Sequence, residues 1–254
     1  MDLHLKDKVV LISGGAKGIG KAIVQQLLDE QAHPVILDKD ERAGKELVAK
    51  YPVIFLPGDL NQASYCQSAI EQVVQKYGHI DGLVNNAGFN DGVGLEKGTP
   101  EKFAASMQSN LIHFYSLAHF ALPHLKKVKG AIVNIGSKVA VTGQGNTSGY
   151  AAAKGGVLGL TREWAVELLP YNIRVNAVLP AEVWTTMYET WLSTQPNPEQ
   201  KKKEIESRIP LGRRMTRPEE IADMVVFLLS DRSSHVTGQW MLVDGGYTQL
   251  DRAV

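Results

Sequence analysis

The sequence has 254 residues, 44% of them hydrophobic and 21% charged, and its 27 basic side chains balance 27 acidic ones. These values are typical of one globular α/β domain, and a neutral total gives no electrostatic basis for binding nucleic acid or an anionic membrane. The only cysteine, Cys66, excludes an internal disulfide, so we interpret it as a structural thiol in a reducing compartment. Residues 1–8 lack the pattern of a signal peptide, and the longest uncharged helical run, residues 111–125, is too short to span a bilayer. We expect a cytoplasmic protein.

A βαβ unit opens the chain. The apolar run at residues 8–13 predicts a buried parallel strand, residues 21–31 have helical periodicity, and residues 33–38 predict a second strand. The turn after the first strand contains Gly14, Gly18 and Gly20. Glycines at such a turn let a pyrophosphate approach the helix N-terminus closely. Their spacing, G-x-x-x-G-x-G, is one residue looser than the common fingerprint, but the elements on either side favour a dinucleotide site over an ordinary glycine turn.

Asp38 ends the second predicted strand, 18 residues past Gly20. An acid at this position hydrogen-bonds the adenosine ribose and repels a 2′-phosphate, which favours NAD over NADP. Lys17 and Lys39 could instead hold that phosphate, or they are surface lysines, one of them paired with Asp38. We predict NAD, with NADP as the alternative.

The alternation of strands and helices continues along the chain and predicts parallel strands with helical crossovers. Further helices are expected at residues 41–50, 62–77, 100–127, 149–169 and 218–229, and further strands at residues 53–56, 80–85, 131–135, 174–178 and 239–244. Residues 186–208, with two prolines and a run of lysines, predict mobile surface helices over a pocket. The predicted fold is one α/β domain, residues 1–254, with a Rossmann-like, doubly wound, seven-stranded parallel sheet, helices on both faces, and a substrate-covering helical segment at about 186–209.

The expected helix at residues 100–127 carries several polar side chains. Asn110 lies among apolar residues, where its amide needs partners. His113, His119 and His124 are spaced six and five residues apart, so they do not share a face as zinc ligands would. We interpret these histidines as structural or surface groups and predict no metal site.

Tyr150 and Lys154 are four residues apart at the start of the next expected helix, and therefore project to one side of it. A neighbouring ammonium favours the phenolate, so we expect a lowered tyrosine pKa, which suits proton transfer. A Tyr-x-x-x-Lys pair on its own is equally typical of a solvated helix surface. Its significance depends on whether the rest of the chain builds a cofactor site that faces it.

With these elements in order, the chain resembles the short-chain dehydrogenase/reductase family from end to end. The resemblance is carried by residues 13–20, residues 85–88, Asn110, Ser137, the Tyr150-x-x-x-Lys154 pair and residues 180–185. Two positions depart from the family pattern, since Ser13 replaces the usual threonine and Ala181 the usual glycine. The resemblance implies an NAD(P)-dependent enzyme that acts on CH–OH groups.

The resemblance also implies roles for individual residues. Tyr150 would be the general base that takes the proton of a substrate hydroxyl, and Lys154 would lower its pKa and bind the nicotinamide ribose. Ser137 would hold the substrate oxygen, and Asn110 a water on the proton path. The implied cofactor residues are Ser13, Gly14, Lys17, Gly18, Ile19, Gly20, Asp38, Lys39, Asp59, Leu60, Asn86, Ala87, Gly88, Tyr150, Lys154, Val183 and Thr185.

The loops around the expected pocket are polar, which suits a polyhydroxy substrate better than an apolar one, although solvated loops are polar in any case. Segments 88–92, 141–150, 162–166, 180–183 and 243–252 resemble one group within the family, the bacterial L-fucose dehydrogenases. This closer resemblance implies oxidation of the anomeric C1 hydroxyl of L-fucose or a similar sugar to a lactone. The expected substrate residues are Asn90, Ser137, Lys138, Gln144, Tyr150 and Glu182.

Other interpretations remain open at this point. Another member of the same family, a 3-oxoacyl or polyol reductase, would share all the motifs. A catalytically idle nucleotide sensor need not keep the four catalytic residues together, and a sugar-nucleotide epimerase would need a larger C-terminal region. The resemblance also implies a homotetramer formed through the last helix and strand and the two long helices. The apolar run Val225, Val226, Phe227 and Leu228 supports that expectation weakly.

Overall fold

The computed structural model of the protein describes residues 2–250. Within these residues the strands are β1 (Val9–Ser13), β2 (His33–Asp38), β3 (Ile54–Pro57), β4 (Gly82–Asn85), β5 (Ala131–Ile135), β6 (Arg174–Pro180) and β7 (Trp240–Val243). All seven are parallel and form one sheet in the order β3-β2-β1-β4-β5-β6-β7. The predicted Rossmann-like architecture is thus confirmed. Residue 1 and residues 251–254, which include the end of the 243–252 segment, lie outside the described residues.

The central strands are buried on both faces, which explains why their sequences are continuous apolar runs. Every residue of β1, β4 and β5 is buried, as expected for parallel strands covered by helices on either side. The chain builds the sheet outward from β1 in one direction through β2 and β3, and in the other through β4 to β7. The carboxyl ends of β1 and β4 therefore meet at the topological switch point, where open α/β sheets bind ligands.

Two layers of helices cover the sheet. The helices are α1 (Gly18–Asp29), α2 (Glu41–Val48), α3 (Ala63–Tyr77), α4 (Pro100–Met107), α5 (His113–Val128), α6 (Ser148–Glu167), α7 (Thr186–Ser193), α8 (Pro198–Ser207) and α9 (Pro218–Leu229). One hydrophobic core joins the sheet to α1 and α9, and the other joins it to α3, α5 and α6. None of these helices, within residues 2–250, is both long and apolar enough to cross a membrane.

The expected single helix over residues 100–127 is interrupted. A π-helical turn at Gln108–Ile112 separates α4 from α5. A π-turn inserts one residue into the helical repeat and is common at functional sites. Hydrophobic periodicity over a long window does not reveal one inserted residue, and the prediction of one regular helix was wrong for that reason.

The apolar run near the C-terminus does not support subunit contacts as expected. Val225, Val226 and Leu228 of α9 are at most 4% exposed and pack in the core. Phe227 is only partly buried. The side chains that suggested an interface therefore mostly stabilise the monomer itself.

Candidate active site

The glycine turn between β1 and α1 exposes a stretch of backbone without side chains beside the topological switch point. Gly14 has a φ of +65°, and a Cβ added there would lie 2.9 Å from the Cα of Ala87. A Cβ on Gly20 would collide with the carbonyl oxygen of Gly14. Both positions therefore need glycine. The resulting cradle fits a pyrophosphate at the N-terminus of α1.

Ser13 and Asn86 tie the glycine turn to the end of β4. The Ser13 hydroxyl accepts hydrogen bonds from the backbone N–H groups of Asn86 (2.9 Å) and Ala87 (3.1 Å). The Asn86 side chain donates back to the carbonyl oxygens of Ser13 (2.9 Å) and Gly14 (3.0 Å). Serine provides the hydroxyl that this network needs, so the departure from threonine at position 13 keeps its function.

A cavity of about 800 Å³ runs along the carboxyl edge of the sheet from Asp38 to Glu182. It is lined by every expected cofactor residue except Ser13, which is buried behind the turn. All six expected substrate residues also line it. Residues far apart in sequence therefore meet in one continuous space whose volume is typical of a ligand site.

Asp38 lies at the end of the cavity where the adenosine half of the cofactor is expected. Its carboxylate accepts hydrogen bonds from the backbone N–H groups of Ala16 (3.1 Å) and Asp40 (3.0 Å), which fix its orientation. Lys17 pairs with Asp40 and not with Asp38. A backbone hydrogen bond from Ala43, together with Lys17, holds the pKa of Asp40 below its usual range. The charge of Lys17 thus already has an acidic partner.

The expected catalytic end of the cavity brings Ser137, Tyr150 and Lys154 together at the carboxyl end of β5. Lys154 is 2% exposed, donates a 2.7 Å hydrogen bond to the carbonyl oxygen of Ile135, and has its Nζ 5.7 Å from the centre of the Tyr150 ring. Burial lowers the pKa of Lys154 to about 7. A side chain poised between its charged and neutral forms can accept and release a proton near neutral pH.

Burial raises the pKa of Tyr150 to about 12, and the hydrogen bond with Ser137 works against that rise. The sequence pattern predicts the opposite direction. In this fold the cost of burying a phenolate exceeds the help from neighbouring groups. The expected lowering of the tyrosine pKa by Lys154 is therefore wrong.

Asn110 lies in the π-turn and is fully buried behind the cavity wall. Its amide donates to the carbonyl oxygen of Ser106 (3.0 Å), and its Oδ1 accepts from the backbone N–H of Phe89 (2.8 Å). A Cβ on Gly88 would lie 2.9 Å from that Oδ1 and 3.5 Å from the Nζ of Lys154. Asn110 therefore fixes the loop after β4 close to Lys154.

The expected substrate end contains a buried ion pair between Lys138 and Glu182, whose side chains are 9% and 15% exposed. The Tyr188 hydroxyl donates a 2.7 Å hydrogen bond to the second oxygen of Glu182. Asn90 and Gln144 also line this end. Sequence reasoning identified both charged residues but not their pairing, and it missed Tyr188 because a tyrosine on a surface helix carries no signal of its own.

Of the helices in the segment expected to cover the pocket, α7 lines the cavity through Thr186, Met187, Tyr188 and Thr190, whereas α8 contributes no lining residue within the described chain.

His113 was expected to be a structural or surface group. It lines the cavity with its Nε2 3.2 Å from the Ala87 carbonyl oxygen, and burial lowers its pKa to about 4, which keeps it neutral.

Comparisons with known proteins point to one enzyme family. A family profile described as enoyl-(acyl carrier protein) reductase matches residues 14–248. The chain is 37% identical to L-fucose dehydrogenase of Mus musculus, covering 94% of this chain and 88% of that protein. It is 39% identical to the 3-oxoacyl-(acyl-carrier-protein) reductase FabG of Thermotoga maritima, covering 96% of this chain and 99% of that protein.

Solved structures agree with these sequence comparisons. A crystal structure described as Cj0485 dehydrogenase has a TM-score of 0.96 at 44% identity and covers 100% of this chain and 99% of its own. The ligand-free aldohexose dehydrogenase of Thermoplasma acidophilum has a TM-score of 0.92 at 29% identity, with the same coverage. Both similarities extend over the whole fold.

Proposed function

The chain belongs to the short-chain dehydrogenase/reductase family, and from this we propose that it oxidises the anomeric C1 hydroxyl of an aldose, L-fucose or a similar sugar, to a lactone with NAD as hydride acceptor. The family makes it an NAD(P)-dependent oxidoreductase that acts on CH–OH groups. The observation that carries the sugar proposal is the polar substrate end, where a buried ion pair and a tyrosine hydroxyl stand beside the catalytic serine.

The bare glycine cradle and the cavity fit a dinucleotide. Gly14, Gly18 and Gly20 would hold its pyrophosphate, and Asp38 its adenosine ribose. Asp59 and Leu60 would flank the adenine; Asn86, Ala87, Gly88, Val183 and Thr185 would line the nicotinamide half. When bound, the cofactor supplies the hydride acceptor.

The side chains of this protein supply proton transfer and position. In the proposed reaction the Ser137 hydroxyl holds the substrate oxygen, and the Oη of Tyr150 takes the proton of the C1 hydroxyl as its own hydroxyl proton is passed on. Lys154, with its pKa near 7, accepts that proton in turn. Asn110 would hold a water on the way to solvent; its amide has one N–H and one acceptor site beyond the two hydrogen bonds it makes.

Substrate hydroxyls would be held by Asn90, Gln144 and Glu182. Each Glu182 oxygen already accepts one hydrogen bond, from Lys138 or Tyr188, and a carboxylate has about four acceptor sites in all. The Glu182 carboxylate can therefore still accept hydrogen bonds from a sugar.

A second candidate, reduction of a 3-oxoacyl thioester, is favoured by the similarity to the Thermotoga maritima enzyme. An acyl chain would call for apolar lining in place of the buried charges.

The function is tested with purified protein, a panel of aldoses and NAD, following absorbance of the reduced cofactor. We expect turnover of L-fucose or a related aldose. In Tyr150→Phe we expect turnover to fall by about 10²–10⁴-fold, because general acid–base catalysis is lost, while NAD binding measured by fluorescence stays close to wild type. If no aldose reacts and a 3-oxoacyl thioester is reduced, the sugar assignment is wrong.

The proposal of NAD over NADP depends on Asp38. Its carboxylate lines the cavity, and Lys17, which could have held a 2′-phosphate, pairs with Asp40. Turnover at equal concentrations of the two cofactors tests this, and a clear preference for NADP would reverse it.

We also propose a homotetramer that works in the cytoplasm. Exposed apolar side chains on the π-turn and the two long helices support association: Ile112 is 44%, Tyr115 55% and Val166 67% exposed. Light scattering after size exclusion would show a single species of four chains, and a clean monomer would contradict this.

The single cysteine, Cys66, is buried and forms no disulfide, in keeping with a reducing compartment. Cell fractionation would test whether the protein is in the cytoplasm, and its recovery in another fraction would contradict this.

A further inference from the structure

The ion pair between Lys138 and Glu182 joins two strand ends across the substrate space. Lys138 follows the catalytic Ser137 after β5, and Glu182 lies in the loop after β6. Both side chains are more than four-fifths buried, yet both line the cavity. Two opposite charges this close give the site no net charge. Removing one partner of such a pair leaves the other charge buried and uncompensated, which is costly.

Neighbours from two other segments hold this pair in place. Tyr188, on α7, donates its hydroxyl hydrogen to Glu182. The ring of Tyr247, near the C-terminus, lies 4.1 Å from the Nζ of Lys138 and offers a cation–π contact. The carboxylate and the ammonium are thus both oriented by aromatic side chains. Neither can leave its partner without loss of a second contact.

We propose that Lys138, Glu182 and Tyr188 form a specificity-determining set that restricts the substrate space to uncharged molecules bearing hydroxyl groups. The inference rests on the proposed sugar oxidation and adds that the sugar must carry no charge. A substrate carboxylate or phosphate at Lys138 would bring a second negative charge against Glu182 in a buried space, or would displace Glu182 and leave its charge buried and unpaired. A neutral hydroxyl can instead donate to Glu182 and accept from Lys138 while the ion pair remains intact.

The test compares three related compounds: an aldohexose, its uronate and its 6-phosphate. The wild type should favour the neutral sugar in kcat/KM. In Glu182→Gln the charge of Lys138 loses its partner, so the preference for the neutral sugar over either anion should fall by at least tenfold. The double variant Lys138→Met/Glu182→Gln should bind the anions no better than wild type, because the unpaired cation is gone.

Two further variants separate charge from shape. Tyr188→Phe keeps the ion pair and removes one hydroxyl, so KM for the sugar should rise several-fold with the preference against anions unchanged. Glu220→Gln is the control, since Glu220 pairs with Arg214 at a more exposed position outside the cavity. This variant should leave both the KM for the sugar and the preference against anions unchanged.

The inference is overturned if Glu182→Gln keeps a preference for the neutral sugar over the anions within twofold of that of the wild type. A cooperative thermal unfolding transition would show that this variant is folded. Uronate binding, measured by calorimetry without turnover, keeps the two proposals separate. If the wild type oxidises no aldose, the proposed function fails. Stronger uronate binding by Glu182→Gln than by wild type would still support the charge-balanced site, and equal binding would refute it.

Discussion

Replacing Lys154, the proposed catalytic lysine, by methionine should make the protein more stable and inactive at once. Lys154 is 2% exposed, and its one hydrogen bond goes to the carbonyl oxygen of Ile135, not to an acid. Its pKa falls from 10.5 in a free chain to about 7 in the fold because burial disfavours the ammonium. Methionine has a similar length and no charge to desolvate.

The magnitude follows from the pKa difference between the folded and unfolded states. At pH 7 the unfolded chain binds this proton fully and the folded chain about half of it, so the lysine costs about 4 kcal/mol of stability. Loss of the hydrogen bond to Ile135 removes about 1–2 kcal/mol of the gain. We expect Lys154→Met to gain about 2 kcal/mol or more, which is roughly 4–8 °C in Tm for a domain of this size.

The sign of the pH dependence is also determined. A lysine with a depressed folded pKa destabilises the fold fully below pH 7, and the penalty is lost as pH rises toward 10.5. Wild-type stability should therefore rise between pH 7 and 9.5 relative to Lys154→Met. Above pH 10 the raised pKa of Tyr150 opposes the rise, so the comparison stops at pH 9.5.

The assay is urea unfolding of both proteins across this pH range, with turnover measured alongside. Lys21→Met, at an exposed position on α1, is the control and should change neither stability nor its pH dependence by much. A Lys154→Met protein that is less stable than wild type at pH 7, or that shows the same pH dependence, would refute the assignment of a desolvated, partly neutral lysine.

Two other predictions concern the glycine turn and the buried thiol. Gly20→Ala should weaken NAD binding at least tenfold and lower Tm by several degrees, because its Cβ would displace the Gly14 carbonyl and with it the hydrogen bond from Asn86; an unchanged dissociation constant in fluorescence titration would contradict the cradle. Cys66 is fully buried and its pKa is raised to about 11, so at pH 8 its alkylation should be at least 100-fold slower in native than in urea-unfolded protein. Equal alkylation rates would show that α3 opens readily.

The sheet could be predicted from local sequence patterns, and the residues that line the cavity from these patterns together with the family resemblance. Buried parallel strands are continuous apolar runs, and residues that follow them meet at one edge of the sheet. Asp38, Ser137 and Glu182 were therefore placed correctly in one cavity before their distances were known.

The pairing of side chains could not be predicted in the same way. Whether Lys17 meets Asp38 or Asp40, and whether Glu182 faces solvent or Lys138, depends on differences of a few ångströms between loops. The pKa of Tyr150 depends on how completely the site excludes water, which no spacing encodes.

The π-turn at Gln108–Ile112 makes the length of this segment as important as its composition. Removing one residue there would let the helix run regularly and rotate everything beyond it by about 100°. Phe114 and Leu117 would then leave the core, or Asn110 would leave its place behind Lys154. Substitutions along this helix can be absorbed one at a time, but an insertion or deletion cannot. We therefore expect homologous chains that keep the active site to vary in sequence here while keeping the same number of residues.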